Sequence, residues 1–224
     1  ALLSQGWVQG DSPMALDHHG YDGEMRRKHQ RNLPLLRARL ERDPLHVYSW
    51  DQLGLTLLGL DDPEGAETTW RLAVDIVRAL PTRCESDSAP YLHLADRLIE
   101  TGQDASALLS EALDLFPDNL ALAWLRAKQY VQSGDYASAQ PLFKRLAGLD
   151  PRQVESARLA YDATIFGAEA HAALGYCAFQ LGNYAESAQH YGRAEALAPD
   201  NIEFRAKRAI ASIKAKQQAS QAPR

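Results

Sequence analysis

Small and apolar residues recur along this chain at helical spacing, and one arrangement of them returns in order. In residues 168–201 the sequence places Leu174-Gly175, Gly182, Tyr184, Ser187, Tyr191, Ala194 and Pro199. Twelve residues separate Gly175 from Ser187, and steps of four, three and five follow. Residues 120–153 carry Ala127, Tyr130, Gly134, Tyr136, Ala139, Phe143, Leu146 and Pro151 in the same slots. An earlier stretch matches with Leu53-Gly54, Ala66, Trp70 and Ala73, its Pro81 arriving three residues late. A further copy, Ala95, Ala105, Leu109, Ala112 and Pro117, is two residues short between its halves. A period that recurs in this way predicts a stack of similar units, each of two antiparallel helices.

The residue types suit that geometry. Gly54 or Ala127 on a first helix is expected to face Ala66 or Ala139 on the second, where a large side chain would splay the pair. The aromatic of the next slot (Trp70, Phe143, Tyr191) is expected to fill the wedge between neighbouring units. Gly134-Asp135-Tyr136 and Gly182-Asn183-Tyr184 read as turns, glycine ending one helix without a Cβ penalty. Asp150-Pro151 and Pro199-Asp200-Asn201 stop a second helix and cap the next.

These offsets resemble those of the tetratricopeptide repeat. The resemblance implies an all-α superhelix of about four helical hairpins with a C-terminal capping helix. The expected boundaries are an irregular junction at 1–21, a leading helix at 22–42 and an array at 43–216. Within the array the repeats fall near 47–81, 88–118, 120–153 and 168–201, followed by a solvating cap at 202–216. A disordered tail is expected at 217–224. In the leading helix Met25, His29, Leu33, Leu36 and Leu40 share a face, and Pro34 is expected to kink it or restart it on Asn32. The positions Gly54, Ala95, Ala127 and Gly175 lie 41, 32 and 48 residues apart, against about 34 in an ideal array. Extra residues therefore enter near Thr82 to Ala89 and between Arg152 and Phe166.

Composition narrows the function classes. A net charge of −5 argues against nucleic acid as the partner, because phosphate binding calls for a basic surface. The densest basic cluster, Arg26, Arg27, Lys28 and Arg31, is flanked by Asp22, Glu24 and Glu41 and reads as a solvated helix face. Cys84 and Cys177 are the only cysteines and lack metal-binding spacing, so neither a disulfide framework nor a structural zinc site is expected. Cys177, among Ala, Gly and aromatic residues, reads as a buried thiol. No apolar run is long enough to span a bilayer, and residues 1–3 lack signal-peptide character. A cytoplasmic location is the expectation, and the absent initiator Met suggests a fragment of a longer chain.

The N-terminal region adds a second resemblance. His18-His19-Gly20-Tyr21, then Arg27-Lys28-His29-Gln30-Arg31-Asn32-Leu33 and Leu35-Leu36, is similar to a junction in bacterial family 2 glycosyltransferases. There such a segment closes the catalytic domain and leads into tetratricopeptide repeats. Tyr161-Asp162, Ile165-Phe166-Gly167, Ala170-His171 and Leu174-Gly175 resemble the tails of the same enzymes, as does Phe204 to Ala211. The resemblance implies the non-catalytic C-terminal part of such an enzyme, which positions it on an acceptor or partner. The catalytic sheet and Asp-x-Asp element have no counterpart in this sequence, so the chain by itself is not expected to be an enzyme. No catalytic residue and no cofactor is assigned. A free-standing tetratricopeptide adaptor is the alternative. With a catalytic domain attached, His18 could complete a divalent-metal or diphosphate site; alone it reads as a junction histidine packing on Tyr21, and no metal site is expected.

The surface expected to carry function is the concave groove of first helices. Its side chains are expected to be Asp51, Leu55 and Leu58, then Leu92, Asp96 and Ile99, then Trp124, Lys128 and Val131, and finally Ala172, Tyr176 and Phe179. His93, His171 and His190 read as surface or groove residues. Modules of this family that grip a terminal carboxylate use Lys and Asn at several of these slots. Here Asp51 and Leu55 occupy the first two, so a helix or extended segment with apolar anchors is the expected protein or peptide ligand. Exposed repeat faces also make a homo-oligomer possible.

Overall fold

A computed structural model of the chain describes residues 25–149 and 163–221. Among these described residues ten α-helices run in order: α1 (Met25–Arg42), α2 (Val47–Leu58), α3 (Pro63–Ala79), α4 (Ala89–Glu100), α5 (Ser106–Leu115), α6 (Leu120–Gln132), α7 (Tyr136–Ala147), α8 (Ala168–Gln180), α9 (Tyr184–Leu197) and α10 (Ile202–Gln221). Short 3₁₀ turns at Glu85–Ser88 and Ala163–Phe166 precede α4 and α8. The pairs α2/α3, α4/α5, α6/α7 and α8/α9 pack as hairpins. They stack through α3/α4, α4/α6 and α7/α8 contacts into the all-α array expected from the repeat period.

Local sequence sets the helix ends. Asp62, Asn119 and Asp135 each accept a backbone N–H three residues on, from Gly65 (2.9 Å), Leu122 (2.9 Å) and Ser138 (3.1 Å). Gly102, Gly134 and Gly182 turn between paired helices at φ 74, 79 and 78°. In the first hairpin Asp61 holds that slot at φ 67°, a conformation Asp tolerates better than most non-glycine residues.

Close approach within a hairpin joins the expected small pair, where Ser187 Oγ donates to the Gly175 carbonyl (2.7 Å), to a contact with the aromatic of the next slot. A Cβ on Gly54 would lie 2.3 Å from Trp70 Nε1, so the glycine makes room for the indole of its own hairpin. The Trp70 Nε1–H donates to the Asp51 carbonyl (3.3 Å), and the ring stacks on His93 of the next hairpin (centroids 5.5 Å apart). Trp70 therefore packs within and between units at once. Gly175 stands against the Tyr191 ring in the same way.

Two apolar clusters meet on α6. One runs from Val47 through Trp70, Tyr91 and Leu109 to Leu125, the other from Ala127 through Phe143 and Phe166 to Cys177. Trp124 is half-buried against both. The insertion near 82–89 is tied in by Asn119, 1% exposed, whose Nδ2 donates to Glu85 Oε1 (2.7 Å) and Ser88 Oγ (3.0 Å). Arg78 Nε and Nη2 bond both oxygens of Glu111 (2.7 Å each), and Tyr91 O–H donates to the same carboxylate (2.6 Å), joining α3, α4 and α5.

Two expectations change. α1 is continuous through Pro34; Pro34 and Gln30 are both exposed, so the carbonyl deprived of its partner meets water. α10 extends to Gln221, beyond the expected end at Lys216 and into the segment read as a disordered tail. Gln218 Nε2 donates to the Gly182 carbonyl (3.3 Å) there, and the added residues are mostly helix-favouring Ala and Gln. The second insertion, expected between Arg152 and Phe166, lies outside the described residues up to 162, as do His18 and the irregular junction at 1–21. Its end, Ile165 and Phe166, is buried beneath α8.

Candidate binding groove

The first helices α4, α6 and α8, together with α10, line a cavity of about 380 Å³. Six of the residues expected in the groove meet there: Ile99, Trp124, Lys128, Val131, Ala172 and Tyr176. The Trp124 ring is held edge-on against buried Phe143, with centroids 5.1 Å apart. Tyr176, 36% exposed, meets Tyr136 in the same edge-on manner at 5.8 Å. Both aromatics thus present apolar faces from fixed positions, which lowers the entropy lost on binding.

The rim is polar and close to charge-balanced. Lys128 Nζ donates to Asp96 Oδ1 (2.8 Å), linking α6 to α4 across the groove. Lys207 pairs with Glu203 (2.6 Å) on α10, and Glu169 adds a carboxylate from α8. Apolar walls with a few polar groups at the edge suit an anchoring side chain and the backbone around it.

The other predicted positions lie elsewhere. Phe179 lines a smaller cavity of about 190 Å³ with Tyr191 and Ile210, on the far side of a wall formed by Tyr176 and Lys207. Leu55 and Leu92 pack partly into the first apolar cluster, and Leu58 is exposed at the end of α2. Asp51 does not present its carboxylate to the groove. It is 2% exposed, and its Oδ1 lies 2.6 Å from His93 Nδ1. A buried carboxylate requires such a partner, which turns a predicted groove residue into a tie between hairpins.

The sequence reading missed Gln132, Glu169, Asn201, Glu203, Phe204 and Lys207, which share the cavity. A solvating cap, as expected at 202–216, would not line the groove. A signal was available, since Phe204 and Lys207 lie 34 residues after Ala170 and Ala173 and so continue the first-helix pattern. His171 and His190, read as surface or groove residues, stack on each other 5.6 Å apart and are half-buried between α8 and α9. A third cavity, about 590 Å³, opens between the second helices α7 and α9 beside His190, Lys144 and Arg193.

Among the described residues no three His, Cys, Asp or Glu side chains form a group able to hold a metal ion. No described helix is long and apolar enough to cross a membrane.

Two tetratricopeptide family models match the chain, over residues 99–161 and 168–201. These two stretches resemble tetratricopeptide repeats. The first matched stretch spans α5 to α7 and runs on past the described residues; the second holds α8 and α9.

Solved tetratricopeptide proteins share the fold at low identity. A thermophilic protein from Thermus thermophilus aligns over 83% of this chain and 91% of its own, at 18% identity and TM-score 0.54. YrrB, described as having an unusual peptide-binding site, aligns over 81% and 84% at 14% identity and TM-score 0.61. The C-terminal part of a repeat-containing protein from Cytophaga hutchinsonii aligns over 90% and 72% at 14% identity and TM-score 0.61. No curated protein matches the sequence.

Proposed function

We propose that this tetratricopeptide array is a protein-interaction module whose groove between α4, α6, α8 and α10 takes a peptide segment of another protein. The cavity formed by Trp124, Tyr176 and Phe204, with Lys128 and Lys207 at its edge, carries this reading. Its size falls within the roughly 300–1,000 Å³ of ligand pockets. The fold supports it too, since a related array, YrrB, is described as having a peptide-binding site. The ligand is an extended or helical segment that inserts a bulky apolar side chain beside Trp124 and directs polar groups to the rim.

Selection of peptides from a random display library on the immobilised chain tests this. Selected peptides carry an aromatic or large aliphatic anchor, and Tyr176→Ala weakens them by about tenfold with helicity unchanged. Peptides that bind Tyr176→Ala and Trp124→Ala variants of intact helicity as tightly as the parent would place recognition elsewhere.

The resemblance of the N-terminal and C-terminal motifs to family 2 glycosyltransferases supports a narrower reading, in which the array positions an attached transferase on its acceptor. On that reading catalysis belongs to a preceding domain. The reading frame upstream of Ala1 decides it. A domain with an Asp-x-Asp element supports it, whereas a Met codon immediately before Ala1 overturns it in favour of a free-standing adaptor.

A further inference from the structure

The last described helix, α10, has two apolar faces and only one of them is covered. Phe204 (4% exposed) and Ala211 (0%) bury one face, where α10 packs on α9. On the opposite face stand Ile202 (77% exposed), Ala206, Ala209 and Ile213 (57%). Their steps of four, three and four keep them in one stripe, the spacing of a helix that buries that side. In each hairpin below, the first helix is covered by its second: α2 by α3, α4 by α5, α6 by α7, α8 by α9. Among the described residues no such helix follows α10.

The stripe reads the same in both directions. Isoleucines stand at its ends and alanines between them, mirrored about a point between Lys207 and Arg208. An isologous antiparallel helix pair needs that symmetry, because residue i of one copy contacts residue j of the other and the reverse. Pairing about this point sets Ile202 against Ile213 of the second copy and lets the helices approach over the alanines. Charge follows the same symmetry. Glu203, which also pairs with Lys207 of its own helix (2.6 Å), and Lys214 flank the stripe on one side, and antiparallel pairing brings Glu203 of each copy within one turn of Lys214 of the other. A parallel two-fold pair would instead leave Glu203 of one copy and Lys214 of the other on opposite sides of the interface and at opposite ends of the stripe.

We propose that the chain forms a two-fold dimer through α10, pairing the Ile202–Ala206–Ala209–Ile213 stripe of two copies antiparallel. One helix pair covers less than the roughly 1,600 Å² of a standard interface, so the dimer is weak and reversible.

Sedimentation equilibrium of the full chain from low micromolar to submillimolar concentration tests this. The parent shows a monomer–dimer equilibrium, and Ile213→Glu weakens it by about tenfold or more with unchanged helicity. Glu203→Lys and Lys214→Glu each weaken the dimer, and the double exchange restores it because every cross-pair is then reversed. A parent that stays monomeric throughout overturns the proposal and leaves the stripe to a helix of another protein. A dimer insensitive to Ile213→Glu overturns it in favour of another face. Failure of the double exchange to restore association overturns the antiparallel register.

Discussion

Gly54→Ala puts the packing of the first hairpin to a direct test. An alanine Cβ would stand 2.3 Å from Trp70 Nε1 and 2.6 Å from Cε2, whereas carbon atoms in contact settle at about 3.5–4.0 Å. The indole must therefore retreat by about 1 Å. It is 1% exposed, its outer side is covered by His93, and its N–H is committed to the Asp51 carbonyl. Overpacking of this kind costs about 1–3 kcal/mol. Loss of the buried indole hydrogen bond adds about 1 kcal/mol. Alanine in place of a helical glycine returns about 0.8–1.0 kcal/mol. The net expectation is a destabilisation of about 1–3 kcal/mol.

Gly192→Ala is the control. Its Cβ would meet only the flexible Arg208 side chain, at 3.4 Å, so the propensity gain of up to about 1 kcal/mol should appear undiminished. Urea unfolding followed by far-ultraviolet circular dichroism compares the two. Trp70→Phe in the Gly54→Ala background should recover part of the loss, giving a coupling of about 1 kcal/mol or more. An unfolding midpoint for Gly54→Ala at or above that of the parent would refute the account of why glycine stands there.

Other expectations concern the last hairpin and the groove. Burial holds the imidazoles of His171 and His190 below their ordinary range, aided for His171 by His190 and Arg193; for His190, Glu186 opposes the shift while Arg193 and Lys144 add to it. The unfolded chain then binds protons that the folded chain resists, so their contribution is present above about pH 6.5 and lost as pH falls below it. The unfolding midpoint should drop between pH 7 and pH 5, and less steeply in His171→Gln; parallel profiles would refute this. Burial also pushes the Cys177 thiol up to about 11, while Cys84 is exposed. One thiol per chain should react with a disulfide reagent at pH 8 in the folded protein and two after denaturation; two reacting at once would contradict the burial.

Much of the architecture was legible because the hairpin constrains residue size at fixed intervals. A glycine or alanine twelve residues before a small partner, with an aromatic four later, leaves a periodic trace in the sequence. The lining of the cavity follows in part from the same constraint: Trp124, Lys128, Tyr176 and Ile99 have the offsets of one side of a first helix. What pattern could not supply was contact between units of unequal spacing. Asp51 has the offset of a groove residue, yet His93, from the next hairpin, covers its carboxylate. The Asn119 link to Glu85 and Ser88 joins an insertion to a helix cap, and neither belongs to the repeat. Phe204 and Lys207 were legible in principle, but the increasingly polar sequence beyond them drew attention to α10 as an end rather than as a further first helix.

The meeting of two apolar clusters on α6 has a consequence for how the array comes apart. Contacts in such a stack are between neighbours, so disorder can enter at either end and advance unit by unit. A front from the N-terminal side and one from the C-terminal side would both halt at the helix whose Leu125 serves one cluster and whose Ala127 serves the other. Trp124 stands at that seam and also lines the cavity. A segment gripped there touches both halves at once. Its binding energy would go into fusing two separable melting steps into one, making occupancy of the groove visible as a gain in cooperativity as well as in midpoint.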